Sequence, residues 1–118
     1  MRETKEVTNI VDRLETFEEQ IGITLEGLYA EFEFDPCETD DPNCLTISGE
    51  LRARDGCELL SFRLIVAIYD LAGRVIHSED GYFGDADSFL GFDTFSETIY
   101  TKCDPSNVSK IRVYPRPF

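Results

Sequence analysis

Residues 59–78, Leu-Leu-Ser-Phe-Arg-Leu-Ile-Val-Ala-Ile-Tyr-Asp-Leu-Ala-Gly-Arg-Val-Ile-His-Ser, constrain this chain more than any other stretch. Between Leu59 and Tyr69 both faces of an extended chain are apolar: Phe62, Leu64, Val66 and Ile68 on one, Ile65, Ala67 and Tyr69 on the other. A strand dry on both sides belongs in the middle of a sheet or beneath a covering helix. Asp70-Leu-Ala-Gly73 has the pattern of a type I turn closed by a left-handed glycine, after which Val75–Ser78 runs back antiparallel. The segment specifies a hairpin of an all-β sandwich and contains no set of groups equipped for chemistry.

The flanking sequence repeats the period of two. Leu28, Ala30, Phe32 and Phe34 alternate with Tyr29, Glu31, Glu33 and Asp35; Leu45, Ile47, Leu51 and Ala53 alternate with polar partners. Phe95, Glu97, Ile99 and Thr101 alternate with Thr94, Ser96, Thr98 and Tyr100. A last strand, Lys110–Tyr114, is expected to stop at Pro115 and Pro117. Only the beginning of the chain reads differently. Val7, Ile10, Val11, Leu14, Phe17 and Ile21 recur at spacings of three and four, and Gly22 stands where a helix C-terminal glycine belongs. This predicts a helix over about Thr4–Gln20 whose narrow apolar stripe needs a covering surface. The expectation is a single domain, residues 1–118: an N-terminal helix within 1–22, then an antiparallel sandwich of 6–7 strands with immunoglobulin-like connections over 24–118.

With 24 acidic against 11 basic side chains the net charge is −13. A surface this negative repels phosphate backbones and anionic lipid, which disfavours nucleic acid and membrane surfaces as partners. Acids at 3, 6, 12, 15, 18 and 19 occupy the place of a signal peptide's apolar core, and no apolar run is long enough to cross a bilayer. As written the chain reads as cytoplasmic, although an exported parent shortened to this span would read the same.

Val66-Ala-Ile-Tyr-Asp70, followed by Gly73 and Val75, resembles the signature of the bacterial FxLYD-type domains, in which an aromatic–aspartate pair ends a core strand before a D-x-x-G turn. Ile47-Ser-Gly-Glu-Leu51 resembles the strand preceding that signature, and the likeness spans about 45–113. Val66 stands for the family's Phe and Ile68 for its Leu. The resemblance implies an immunoglobulin-like β-sandwich of unassigned function, often in exported or membrane-anchored bacterial proteins, and transfers no catalytic residue.

Chemistry is sparsely provided for. His77 is the only histidine, so it alone could serve a nucleophile at neutral pH, and no Gly-x-Ser-x-Gly elbow is present. A solvent-facing strand histidine is the expectation. A hydrolase using two carboxylates is the remaining catalytic alternative. Cys37, Cys44, Cys57 and Cys103 lack zinc-knuckle spacing, while Cys37 and Cys44 bracket a Pro-containing loop suited to a local disulfide in an oxidising compartment. Calcium is the sharpest ligand hypothesis. Asp35, Asp40 and Asp41 crowd one loop and Asp85 and Asp87 another, and sandwich-end loops can pool oxygens from separate segments. The spacing after Asp85 is not that of an EF-hand.

The most distinctive surfaces are the apolar stripe of the N-terminal helix and an acidic loop over 79–93 that holds Tyr82, Phe83, Phe89 and Phe92, while the C-terminal segment with Lys102, Lys110, Arg112 and Arg116 is the only basic region. Aromatic side chains in excess of what a short loop needs are characteristic of contact surfaces. The leading reading is a non-catalytic module that binds a protein partner or a second copy of itself. A calcium-dependent binding module is the alternative.

Overall fold

The computed structural model describes residues 3–35, 42–55 and 59–117. Their elements, in chain order, are β1 (Glu3–Glu6), β2 (Val11–Arg13), α1 (Glu15–Ile21), β3 (Ile23–Phe34), β4 (Asn43–Ala53), β5 (Phe62–Asp70), β6 (Val75–Gly84), β7 (Phe92–Thr101) and β8 (Val108–Pro117), with single 3₁₀ turns before β2 and β8. The strands form two sheets of four, ordered β1-β3-β4-β7 and β2-β8-β5-β6. All neighbours are antiparallel except β2 with β8. The protein is therefore mainly β, a two-layer sandwich.

The doubly apolar strand lies where its sequence requires. β5 sits inside its sheet between β8 and β6. Phe62, Leu64, Val66 and Ile68 face the other sheet and are buried, while Ile65 and Ala67 on the opposite side are only 4% and 3% exposed. On that outer side Phe17 of α1 packs on Tyr114 of β8. Across the sheet from Ile65 and Ala67 stand Tyr114 and Arg112 of β8, whose long side chains share it. The hairpin after β5 closes as its sequence implies. Gly73 has φ +82°, its N–H donates to Asp70 O at 3.0 Å, and Asp70 Oδ1 accepts from the N–H groups of Ala72 and Arg74, both at 2.9 Å.

The N-terminal expectation needs correction. Helix is confined to Glu15–Ile21, and residues 3–6 and 11–13 are strands in opposite sheets. The apolar spacing arises because the chain crosses the sandwich. Val7 drops into the core, its N–H donating to Ala30 O at 2.8 Å, and Thr8 Oγ1 accepts from Ala30 N–H at 3.0 Å. A 3₁₀ turn at Thr8–Ile10 then delivers Val11 beside Ile111. Open edges on β3 and β8 satisfy these backbone groups, and the β-branched Thr4, Val7, Thr8, Ile10 and Val11 suit strand better than helix.

Two further differences have local causes. β3 begins five residues before Leu28, because one residue is inserted where the pairing slips between Glu26 and Tyr29. Gly27, at φ +58°, absorbs it, so the buried positions switch from Ile23 and Leu25 to Ala30 and Phe32. β8 continues through Pro115 to Pro117, in the stretch past β2 where it has a neighbour on one side only.

Candidate functional site

The loop from β6 to β7 is fixed rather than draped. Asp85 O accepts from the N–H groups of Ser88 and Phe89, Asp85 Oδ1 accepts from Asp87 N–H at 2.9 Å, and Ser61 Oγ accepts from Ala86 N–H at 2.9 Å. Gly91, at φ +90°, presents its carbonyl to Ala53 N–H at 2.9 Å. This anchoring divides the four aromatic residues of the segment into two pairs. Tyr82 and Phe89 turn inward around the buried Phe62, with ring centres 6.1 and 6.3 Å from it. The Tyr82 hydroxyl donates to the Asp93 carboxylate, and burial together with that contact pushes the phenol's pKa up. Phe83 and Phe92 turn outward, 60% and 47% exposed, with Leu90 between them at 94%. The three outward side chains, with Tyr82, Asp85, Ser88, Phe89 and Asp93, line a hollow of about 310 Å³. Arg52 lies over the Phe92 ring, 5.7 Å from its centre.

The five carboxylates considered for calcium do not all converge. β4 and β7 pair from Asn43 with Thr101 to Arg52 with Phe92. Asp35 follows β3 at the Asn43–Thr101 end, whereas Asp85 and Asp87 lie at the Arg52–Phe92 end, about 30 Å away at the rise of a strand. Asp35 therefore cannot share an ion with Asp85 and Asp87. Asp40 and Asp41 lie outside the described residues, among which no three His, Cys, Asp or Glu side chains are grouped to hold a metal. Cys37, and with it the Cys37–Cys44 pairing, also lies outside them, as does Cys57. Cys44 is half-buried on β4, and Cys103 Sγ accepts from Thr101 Oγ1 at 2.9 Å.

His77 is not simply solvent-facing. It lies opposite Ile68 on β6, its side chain 24% exposed, with Nε2 3.0 Å from Glu79 Oε1. It borders a hollow of about 640 Å³ that also touches Cys103 and Asp104. His77 is engaged with Glu79 and Cys103 with Thr101, and among the described residues no hydrogen bond joins the two.

A second surface shows in the sequence only as the basic C-terminal segment. The outer face of the β2-β8-β5-β6 sheet gathers Lys110, Arg112, Arg116 and Arg63, which register brings together from β8 and β5. Lys110 Nζ and the Arg112 guanidinium lie on the Tyr69 ring, 4.9 and 5.0 Å from its centre. Arg112 also reaches Asp12 and the Tyr69 hydroxyl, both at 3.3 Å, and Arg63 reaches Asp80 at 2.9 Å. Tyr114 packs on Phe17 of α1 with ring centres 5.5 Å apart, and Leu14, Phe17, Tyr69, Arg112, Tyr114 and Arg116 enclose a hollow of about 340 Å³. The basic C-terminal composition was a legible signal; its meeting with α1 and Tyr69 depends on tertiary structure.

Among the described residues no helix is long and apolar enough to cross a membrane. Comparison with known proteins finds no matching family model, no matching curated protein and no matching solved structure, so the two surfaces are read from their own chemistry.

Proposed function

We propose that this protein is a non-catalytic interaction module, with Phe83, Leu90 and Phe92 as its contact side chains. The observation that carries the reading is their joint exposure at one end of the sandwich, on the β6–β7 loop and the strand ends that flank it. Single exposed apolar residues are ordinary, but three around one hollow fit a binding surface. Tyr82 and Phe89 support that surface from beneath rather than forming it. The immunoglobulin-like part of the reading is supported by the two-sheet architecture and by the FxLYD-like hairpin.

The test compares wild type with a Phe83→Ser/Leu90→Ser/Phe92→Ser variant in saturable capture of proteins from source cells. A Thr46→Ser/Thr98→Ser variant, six residues along β4 and β7 from the Arg52–Phe92 pair, serves as control. A partner held by wild type and control but lost by the triple variant, at matched melting temperature, is the expected result. Equal capture by all three proteins would remove the proposal.

A further inference from the structure

We infer that the basic face of the β2-β8-β5-β6 sheet receives the acidic, aromatic β6–β7 end of a second copy of this chain, forming a closed two-fold dimer. The inference rests on the reading that the exposed aromatic end is a contact surface, and it names the partner. Two observations carry it. The first is charge: the outer face presents four cations, Arg63, Lys110, Arg112 and Arg116, against the carboxylates of Asp12 and Asp80, in a chain whose net charge is −13. Cations stacked on tyrosine and flanked by Tyr114 and Phe17 have the composition of interface anchors, and their sign selects an acidic partner. The β6–β7 end has the complementary character, with Asp85, Asp87 and Asp93 set among Phe83, Leu90 and Phe92.

The second observation is that the two surfaces adjoin. Phe83 pairs with Arg63, and Arg63 pairs with Arg116, so the exposed Phe83 ring borders both. A two-fold axis at that border places each acidic end on the other copy's basic face, so every contact is made twice and the assembly closes. The net charge does not forbid this. Near physiological salt the screening length is about 8 Å. The molecule measures 50 × 27 × 23 Å, so most like charges lie beyond that distance.

Added salt weakens the contact and the long-range repulsion together, so charge exchange is the discriminating experiment. Sedimentation equilibrium is measured at constant salt for wild type, for Lys110→Glu/Arg116→Glu and for Asp87→Lys/Ser88→Lys. These substitutions keep the Asp85 carboxylate and the backbone donors of its turn, and they leave the Arg112–Tyr69 contact in place. Wild type is expected to dimerise and each variant to lose dimer affinity by about a hundredfold or more. An equimolar mixture of the two variants should regain a 1:1 heterodimer, because both of its contacts are again opposite in sign. A monomeric wild type at about millimolar concentration overturns the inference and leaves the contact-surface reading to the capture test. A dimer indifferent to both charge variants overturns it too. In that case the Phe83→Ser/Leu90→Ser/Phe92→Ser variant decides separately, since retention of the dimer there removes the aromatic end from the interface.

Discussion

Replacing Glu18 by alanine removes three hydrogen bonds at once. Its carboxylate accepts from Arg13 Nη2 at 2.6 Å, Arg13 Nε at 3.1 Å and Leu25 N–H at 3.0 Å, and it is wholly buried. The magnitude follows from what each partner is left with. Leu25 is fully buried, so its stranded N–H costs about 1–3 kcal/mol. The Arg13 side chain is 32% exposed and partly rehydrates, which places the loss near the lower end of the roughly 3–5 kcal/mol typical of a broken buried pair. A total near 3 kcal/mol lowers the melting midpoint by roughly 10–15 °C in a domain of this size. Arg13→Ala should be worse, about 4–5 kcal/mol, because it strands the buried carboxylate instead. α1 makes the effect visible: it has seven residues, its N-cap is Leu14 with no capping side chain, and helices this short do not persist without tertiary support. Urea titrations followed by circular dichroism measure both variants, an unchanged slope showing that the two-state comparison holds. The double variant Arg13→Ala/Glu18→Ala should fall short of the summed losses by about 1–3 kcal/mol. Single variants losing under about 1 kcal/mol, or a strictly additive double, would refute the clamp.

Asp70 predicts a pH response. Backbone N–H donation from Arg74, joined by that from Ala72 and by the Arg74 guanidinium, holds its carboxyl below the usual carboxylate range. A depressed value means the contribution is fully present above the unfolded pKa of about 3.9 and is lost as pH falls through the folded value. The stability gap between wild type and Asp70→Asn should accordingly be widest near neutrality and close in acid; a gap independent of pH would count against it. A Cβ at Gly84 would sit 2.4 Å from the buried Phe62 ring, so Gly84→Ala should cost about 1–3 kcal/mol by thermal melt. Gly73→Ala meets nothing within 4 Å but must hold φ +82°, so it should cost about 1–2 kcal/mol from backbone strain alone. Phe89→Ala should destabilise by about 2–3 kcal/mol while Phe83→Ser stays within about 0.5 kcal/mol, and equal effects would contradict the packing of Phe89 on the core and the exposure of Phe83.

Strand identity was legible because burial on a sheet face repeats every two residues. β4, β7 and the second half of β3 follow that period, β5 is apolar on both faces, and the D-x-x-G turn carries its own backbone chemistry in Asp70 and Gly73. The N-terminal segment misled because a chain crossing between two sheets presents apolar residues at irregular intervals that imitate a helix. The candidate site was half legible. Aromatic residues marked the β6–β7 segment, but nothing local to Tyr82, Phe83, Phe89 or Phe92 says which ring points inward.

By itself the sequence determined the class of object: an acidic β-sandwich whose doubly apolar strand had to lie inside a sheet, with few groups suited to catalysis. Local patterning suffices for that, since alternation and turn residues act over a few neighbours. Tertiary structure decided the rest. It set which strands are adjacent, that Glu18 would be sealed against Arg13, that Asp35 and Asp87 would stand at opposite ends, and that Lys110, Arg112 and Arg116 would meet Tyr69 and Phe17. Each of these depends on register between segments distant in the chain, and register is fixed by the packing of the whole core rather than by any one stretch.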